Sequence, residues 1–513
     1  MNDHVKDVAE TSQRKMGVVL NYICEAVRVA TGLVYTPLML RILGQSEYGL
    51  YQLVGSTVAY LSLLSLGFGS AYVRYHSRYQ VKEDREGIDR LNGMFMSIFC
   101  VMAVVCLLCG GAMAANVRLI FGTGLTEAEL AKARVLLAIL IVNMALTFPN
   151  SVFNCYIAAH EQFAFQRMLA LAQSALNPFL TLPLLLLGYG SVAVVLISTA
   201  LTIASFSVNI LFCLKKLKMQ FNFRGMEVSL LKEMSVFTFF IFLNQIIDQV
   251  NWSVDKFLLG RMNGTVAVAI YGVGGQLNSL FLQMSTSVSS VFAPKVNRIV
   301  AKTNDSTELT MLMIRVGRIQ FIILSLVLSG FAFFGKNFIS LWAGEEYTQS
   351  YLVALLLMTP VTVPLIQNIG IEIQRAKNMH KARSLVYFYL AVINVFLSVL
   401  LIPQYGCVGA AAGTAISLVM GNGIFMNWYY HKRIGLDMIL FWKSIATIVP
   451  GLVIPIIFGF ILNMHPVKHN WVTLIVMIVV YTFVYCLSMY RFGMNEEEKQ
   501  LIYPILRKIR LMR

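Results

Sequence analysis

About fourteen apolar stretches of roughly 20 residues run through this chain, and their length constrains the fold more than any other feature of the sequence. A helix of that length crosses the hydrocarbon core of a bilayer. The stretches are continuously apolar, whereas the strands of a membrane barrel alternate apolar and polar residues over about ten positions. Hydrophobic residues make up 58% of the chain, and charged residues 13%, which a soluble domain does not tolerate. We therefore expect an all-α polytopic membrane protein.

A repeated segment divides the chain into two similar halves. Asn177-Pro-Phe-Leu-Thr181 and the residues after it return as Asn394-Val-Phe-Leu-Ser398, about 217 residues later. Six helices in each half give both halves the same orientation in the membrane, as in transporters built from two bundles. The spacing predicts two pseudo-symmetric six-helix lobes followed by two C-terminal helices. The predicted bounds are 1–214 for the first lobe, 215–233 for a basic cytoplasmic linker, 234–433 for the second lobe, 434–492 for the two additional helices and 493–513 for a basic cytoplasmic tail.

Lys and Arg residues set the expected orientation of the helices. Cytoplasmic loops retain positive charge. With the amino terminus inside, roughly three quarters of the 41 Lys and Arg residues fall on inner segments, so both termini are predicted to face the cytoplasm. The net charge of +16 therefore reflects topology and contact with anionic lipid. Nucleic acid is not an expected partner, because the basic residues flank the spans without an aromatic stacking surface.

Three polar residues share one face of the first predicted helix. Asn21, Glu25 and Arg28 have the spacing i, i+4, i+7, and Arg28 lies near the middle of the span. A charge at that depth costs about 2.5–3.5 kcal/mol on insertion scales, so Arg28 is expected to face protein or a watery cavity. One interpretation is a self-neutralising Glu25–Arg28 pair that only packs the bundle. The other is that Arg28 binds an anionic substrate group, above all phosphate, which suits the rigid fork of arginine.

The seventh predicted helix is polar along one whole face. Asn244, Asp248, Asn251 and Asp255 have the spacing i, i+4, i+7, i+11. Trp252 and Lys256 lie one position beside this stripe. An interhelical hydrogen-bond seam would explain it. The alternative is a cavity wall, in which Asn244, Asn251, Trp252 and Lys256 contact substrate while the carboxylates of Asp248 and Asp255 bind a coupling cation or a proton.

The tenth predicted helix supplies second-rank candidates. Pro360 and Pro364 interrupt its hydrogen bonding, and Glu372 and Arg375 follow as a possible substrate contact or a simple boundary pair. No catalytic residue or metal site is expected, because the histidines lie at boundaries and the predicted outer loops are too short for a catalytic domain. The chain is thus expected to be a transporter without a cofactor, apart from a coupling H⁺ or Na⁺.

Several blocks of the sequence resemble bacterial polysaccharide flippases, the O-antigen or Wzx-like branch of the MATE-related MOP superfamily. The blocks are Arg41-Ile-Leu-Gly-Gln-Ser-Glu-Tyr-Gly-Leu-Tyr51, residues 60–74, residues 156–163, residues 402–415 and residues 429–437. The resemblance runs along nearly the whole chain. It implies a MATE-like fold with two six-helix lobes.

The resemblance also implies a function. Proteins of this family carry an undecaprenyl-diphosphate-linked oligosaccharide, the repeat unit of a lipopolysaccharide or capsule, from the inner to the outer leaflet of the bacterial cytoplasmic membrane by alternating access. Export is often driven by an ion gradient, for which Glu25 and Asp248 are the first candidates, with Asp255 on the same stripe. The implied partners are the lipid-linked oligosaccharide, the bilayer, and polysaccharide polymerase and export proteins.

Three alternatives stay open from the sequence. The first is a multidrug or metabolite cation antiporter of the same fold. The second is a lipid II flippase, although such proteins usually carry several cavity arginines, whereas here Arg28 is the deep one and Arg41 and Arg74 lie near helix ends as second-rank candidates. The third is a membrane enzyme such as an oligosaccharide polymerase, which the short outer loops disfavour.

Overall fold

The computed structural model describes residues 2–122, 124–224, 228–290, 292–377, 379–464 and 470–500. Side chains at 2–22, 228–232, 235–237, 240, 244, 252, 287, 288, 290 and 380–382 lie outside this description. Across the described ranges the backbone is almost entirely helical and contains no strand. The expectation of an all-α protein is confirmed.

The helices follow one another with short connections. In order they are α1 (Asn2–Val58), α2 (Phe68–Val81), α3 (Arg85–Ala115), α4 (Val117–Phe121), α5 (Glu127–Ala159), α6 (Phe163–Leu186), α7 (Gly190–Leu211), α8 (Val228–Asn263), α9 (Thr265–Ser290), α10 (Ala293–Lys302), α11 (Ser306–Trp342), α12 (Ser350–Ile366), α13 (Asn368–Ala376), α14 (His380–Leu418), α15 (Met426–Tyr429), α16 (Met438–Ala446), α17 (Pro450–Met464) and α18 (Trp471–Ser488). Short 3₁₀ turns and π-helical turns extend several of them.

The length and apolar character of these helices fit a multi-pass membrane protein. Within the described residues, nine helices are long and apolar enough to cross a membrane, or up to eleven if each of two bent pairs is one span. Two of the nine, Ile23–Val81 and Arg383–Ile434, contain a break, and α8 is not among them. The predicted number of fourteen spans is not confirmed and stays a prediction.

Glycines make the breaks inside the two longest candidate spans. Gly44 in α1 has φ 73° and ψ 172°, and Gly406 in α14 has φ 55° and ψ −132°. Residues with a Cβ rarely adopt a positive φ, so glycine allows the chain to leave the helix there and resume it. The apolar runs of the sequence predict separate spans over residues 17–41 and 48–73, and over 384–402 and 408–430. The two breaks fall between the members of these two pairs.

The two copies of the repeated segment have the same local structure. In α6, Thr181 donates a hydrogen bond from Oγ1 to Oδ1 of Asn177 over 3.4 Å. In α14, Ser398 donates from Oγ to Oδ1 of Asn394, also over 3.4 Å. Each segment ends at a glycine of positive φ, Gly190 in the first copy and Gly406 in the second. The sequence repeat therefore corresponds to a structural one at this point.

The prolines of the tenth predicted helix end α12 rather than merely bending it. After Pro360 and Pro364 the chain turns by 46° and resumes as α13. A polar cluster covers the break: the Leu365 carbonyl accepts a hydrogen bond from Ser285 Oγ over 3.0 Å, and Asn368 Nδ2 donates to the same hydroxyl over 3.0 Å. Side chains of the protein thus hydrogen-bond to a backbone carbonyl at the break, which lipid tails cannot do.

Contacts between Cα atoms divide the chain into two compact units, Met1–Ala269 and Ile270–Arg513. In the first unit α1 packs on α5, α6, α7 and α8, and α5 also packs on α3 and α7. In the second unit α11 packs on α12, α16 and α18, and α12 packs on α14. Helix α8, which the sequence assigns to the second lobe, belongs to the first unit. The predicted lobe, linker and tail bounds stay predictions.

Candidate functional site

Glu25 and Arg28 form an ion pair on one face of α1. Nη2 of Arg28 lies 2.6 Å from Oε2 of Glu25, and the two side chains are 56% and 37% exposed. The pair is therefore not enclosed by packing. Since both charges remain accessible, a stronger anion such as a phosphate can displace the carboxylate from the guanidinium.

Arg28 lines an open cavity of about 440 Å³ in the first unit. The described lining comes from α1, α6 and α7. On α1 the lining residues Arg28, Thr31, Gly32 and Tyr35 have the spacing i, i+3, i+4, i+7, which is one face of a helix. Arg28 thus lies at this cavity, and its predicted role there stays a prediction.

The other two walls are polar faces of apolar helices. Helix α6 contributes Gln173, Ser174 and Asn177, and α7 contributes Ser198 and Thr202. Both helices are candidate membrane spans, so their polar side chains avoid lipid by turning toward the cavity. Pro178 has no N–H and leaves the Ser174 carbonyl without its usual helical donor, which adds an acceptor to this wall.

The polar stripe of α8 does not line this cavity in the described part of the chain. Asp248 is exposed, Asn251 is partly buried and Asp255 is 1% exposed. Lys256 donates from Nζ to Oε1 of Gln52 over 3.0 Å, and so contacts the part of α1 beyond Gly44. The stripe thus forms polar contacts within the first unit, apart from the cavity that contains Arg28.

The remaining predicted site residues lie elsewhere. The side chains of Asn21, Asn244 and Trp252 are outside the described residues. Arg41 and Arg74 are exposed and do not belong to the described lining of the cavity. Arg375 pairs with Glu372 over 2.9 Å on α13, with 68% of the Arg375 side chain exposed, which agrees with a boundary pair. The roles of all these residues stay predictions.

The residues of α6 and α7 that line the cavity with Arg28 are not among those predicted from the sequence. Asn177 is identified from the sequence only as part of the repeat. Gln173, Ser174 and Asn177 follow i, i+1, i+4, and Ser198 and Thr202 follow i, i+4, within otherwise apolar helices. That spacing indicates a shared face, and it could have identified these walls in the same way as the stripe on α8.

Fold and site together define a multi-pass membrane protein in which an arginine-containing cavity lies among apolar helices. Residues 23–300 match the family model described as polysaccharide biosynthesis protein. The chain belongs to this family, whose members include flippases of the MOP superfamily.

A curated relative and two solved structures extend the likeness over most of the chain. The uncharacterized membrane protein EpsK of Bacillus subtilis (strain 168) is 22% identical over 494 residues, which covers 92% of this chain and 94% of EpsK. The lipid II flippase MurJ in an inward closed conformation has a TM-score of 0.73 at 16% identity, and the match covers 93% of this chain and 98% of MurJ.

The second structure is an inward-facing multidrug resistance MATE family transporter of the MOP superfamily. It has a TM-score of 0.68 at 13% identity, and the match covers 82% of this chain and 99% of that transporter. At these identities the two structures establish the fold alone. The protein therefore has the MurJ and MATE-like fold, and it is a multi-pass membrane protein of a flippase and transporter family.

Proposed function

We propose that this protein is a flippase that moves an undecaprenyl-diphosphate-linked oligosaccharide from the cytoplasmic to the outer leaflet of the bacterial cytoplasmic membrane by alternating access. The observation that carries the proposal is the placement of Arg28 on an open cavity between apolar helices. A guanidinium binds two phosphate oxygens through parallel N–H groups. Its position in a candidate membrane span supports this role, because a diphosphate that changes leaflets has to cross the membrane.

The proposed substrate also accounts for the chemistry of the cavity as a whole. Beside Arg28, whose guanidinium pairs with Glu25 next to the cavity, the described lining offers amides and hydroxyls and no carboxylate. A cationic drug would meet the Arg28 charge there, so the multidrug antiporter is the weaker alternative. A lipid-linked phosphate with a sugar head fits both the charge and the polar walls. Transport rather than chemistry agrees with the family to which the chain belongs.

Deletion of the gene tests this function directly. We expect the deletion strain to accumulate lipid-linked oligosaccharide whose sugar stays in the cytoplasmic leaflet, and the wild-type gene to clear it. The measurement is extraction and mass spectrometry of the prenyl-linked lipids, with leaflet accessibility to a membrane-impermeant reagent. Increased drug sensitivity without such accumulation would contradict the proposal and favour the antiporter.

Ion coupling is proposed to reside in Glu25 and in the carboxylates of α8. Asp248 is the exposed member of the α8 stripe, so it can exchange a proton or Na⁺, whereas Asp255 is buried. Glu25 lies against Arg28, so displacement of its carboxylate by substrate favours uptake of a cation. This links substrate binding to ion binding without a cofactor.

Replacing Asp248 with asparagine tests the coupling role. We expect Asp248→Asn to abolish the stimulation of transport by an ion gradient, because the amide neither ionises nor attracts a cation. The measurement compares transport in vesicles with and without an imposed pH or Na⁺ gradient. Asp305→Asn is the matched control, since Asp305 caps α11 and asparagine caps helices equally well. Full gradient dependence in Asp248→Asn would exclude Asp248 as the coupling site.

A further inference from the structure

Another cavity, of about 310 Å³, lies in the second unit between α10, α11, α16 and the segment that follows α18. We call it the α10–α11 groove. It shares no described lining residue with the cavity that contains Arg28. Charged side chains of both signs line it together with apolar ones. The cations are Lys295, Arg315 and Arg318, and the anions are Glu308, Glu497 and Glu498.

Two of these six charges are used by the fold itself. Arg318 and Glu498 form a buried ion pair, with Nε of Arg318 2.6 Å from Oε1 of Glu498. Glu498 also fixes the turn before it: its Oε2 accepts a hydrogen bond from the Asn495 N–H over 2.9 Å, and its own N–H donates to Oδ1 of Asn495 over 2.9 Å. This pair therefore attaches the segment after α18 to α11 and is not available to a ligand.

The other four charges are available. Within the described residues, the side chains of Lys295 and Glu308 are exposed and have no hydrogen-bond or ion-pair partner. Nε of Arg315 lies 3.7 Å from Oε2 of Glu497, which is too long for a hydrogen bond, and these side chains are 52% and 70% exposed. Exposed pairs of this kind are weak, so a ligand can separate them. The groove thus offers two cations and two anions.

The groove lies where the apolar part of α11 begins. Helix α11 has 37 residues, or about 55 Å, and is longer than the hydrocarbon core of about 30 Å. Residues 319–335 carry no charged side chain, whereas Glu308 and Arg315 lie in the turns before them. The groove is therefore at the level of lipid headgroups, and the distribution of Lys and Arg predicts that this is the cytoplasmic side. Met311 adds an apolar surface, with 54% of the residue exposed.

From this arrangement we propose that the α10–α11 groove binds the headgroup of a phosphatidylethanolamine-type lipid. Lys295 and Arg315 bind the phosphate, and Glu308 and Glu497 accept hydrogen bonds from the ammonium group. This headgroup carries one charge of each sign, separated by two carbon atoms, and the groove places opposite charges side by side. The inference goes beyond the proposed function and does not depend on it, because a lipid can occupy the groove whichever substrate the protein carries.

The balance of charge in the groove distinguishes this lipid from others. A phosphatidylglycerol headgroup has no cation, so it would leave Glu308 and Glu497 unpaired beside its phosphate. A choline headgroup is zwitterionic, but its quaternary nitrogen has no N–H to donate, whereas a primary ammonium has three. A volume of about 310 Å³ is at the lower end of the range of about 300–1,000 Å³ for small-molecule sites, so the groove holds a headgroup and the acyl chains lie outside it.

Native mass spectrometry of the full-length protein in detergent tests this inference. The probes are phosphatidylethanolamine, phosphatidylcholine and phosphatidylglycerol with identical acyl chains, in equal amounts. We expect wild-type protein to retain phosphatidylethanolamine about fivefold more than either other lipid, because two weak ion pairs act together. Glu308→Gln/Glu497→Gln should retain phosphatidylethanolamine and phosphatidylglycerol equally. Glu497→Lys should reverse the preference to about threefold in favour of phosphatidylglycerol, a gain of binding that a misfolded variant does not produce.

Matched controls lie next to the groove. Glu496 pairs with Lys499, is 85% exposed and is outside the described lining, so Glu496→Lys changes the charge equally and should keep the wild-type preference. Lys295→Gln should lower retention of all three lipids, whereas Arg298→Gln, at an exposed position of α10 outside the described lining, should not.

Three results would overturn the inference. The first is equal retention of the three lipids by wild-type protein. The second is the same shift in preference from Glu496→Lys as from Glu497→Lys, which would indicate general surface charge. The third is displacement of phosphatidylethanolamine by an equal concentration of glycerophosphoethanolamine, which would show that the groove binds a soluble headgroup and not a lipid.

Discussion

Replacing Arg28 with alanine is expected to lower flipping by about 10-fold to 100-fold, since a charge-assisted hydrogen bond contributes about 1.5–3 kcal/mol. Arg28 lines the cavity and pairs with Glu25 over 2.6 Å, so its loss removes the cation that we propose to bind phosphate. Arg28→Lys should retain part of the activity, because a point charge replaces a bidentate fork. The measurement uses proteoliposomes with a fluorescent prenyl-diphosphate sugar and a membrane-impermeant quencher.

The control for this experiment is Arg118, an arginine that forms a different ion pair. Arg118 lies 2.5 Å from Glu127, and both side chains are more than 70% exposed. Such pairs contribute little, so Arg118→Ala should leave the flipping rate within about twofold of wild type. Membrane abundance of each variant is measured in parallel. An Arg28→Ala protein that reaches the membrane and flips at the wild-type rate would contradict the assignment of Arg28 to phosphate.

Truncating Glu498 is expected to have the largest effect on stability in the second unit. Arg318 on α11 and Glu498 are 4% and 6% exposed, and they form two parallel contacts, Nε to Oε1 over 2.6 Å and Nη2 to Oε2 over 2.9 Å. Arg318 also donates to the carbonyls of Ser444 and Gly493 and to the Thr447 hydroxyl. Glu498→Ala would leave a buried guanidinium without its counter-charge. We expect it to lower the free energy of unfolding by about 3–5 kcal/mol.

Thermal unfolding in detergent measures this effect, and the neighbouring residue provides the control. Glu497 pairs with Arg315 over 3.7 Å, with the side chains 70% and 52% exposed. Glu497→Ala should therefore change the free energy of unfolding by less than about 1 kcal/mol. The double variant Arg318→Met/Glu498→Leu should recover most of the stability lost in Glu498→Ala, because it removes both buried charges. Equal losses from Glu497→Ala and Glu498→Ala would show that burial of the pair is unimportant.

Much of the fold follows from features that act locally in the sequence. Continuous apolar runs predict helices in a membrane, because lipid cannot hydrogen-bond to backbone N–H and C=O groups and a helix pairs them internally. The glycines at 44 and 406 and the prolines at 360 and 364 also act locally, since they restrict or release the backbone wherever they occur. The structure places the breaks of α1, α14 and α12 at or just after these residues. Counting the spans requires both ends of every helix to be predicted correctly. The predicted count of fourteen is not confirmed.

The candidate site was predicted only in part, because periodicity identifies a helical face without identifying what lies opposite it. The spacing of Glu25 and Arg28 indicated a polar face on α1, and of these two residues Arg28 lines a cavity. The stripe on α8 has equally clear spacing, yet Asp248 is exposed and Asp255 is buried. The difference arises from neighbouring helices, which the sequence of α8 does not specify.

The sequence by itself determined that this protein is an all-helical membrane protein with an internal repeat, because those properties depend on local hydrophobicity and backbone conformation. Only the tertiary structure decided that Asn177 opens on a cavity while Asn394 is packed. It likewise decided that Arg318, counted in the sequence as one of many inner basic residues, is buried against Glu498. Burial depends on contacts between segments far apart in the chain, so equivalent positions of a repeat can be buried in one copy and line an open cavity in the other.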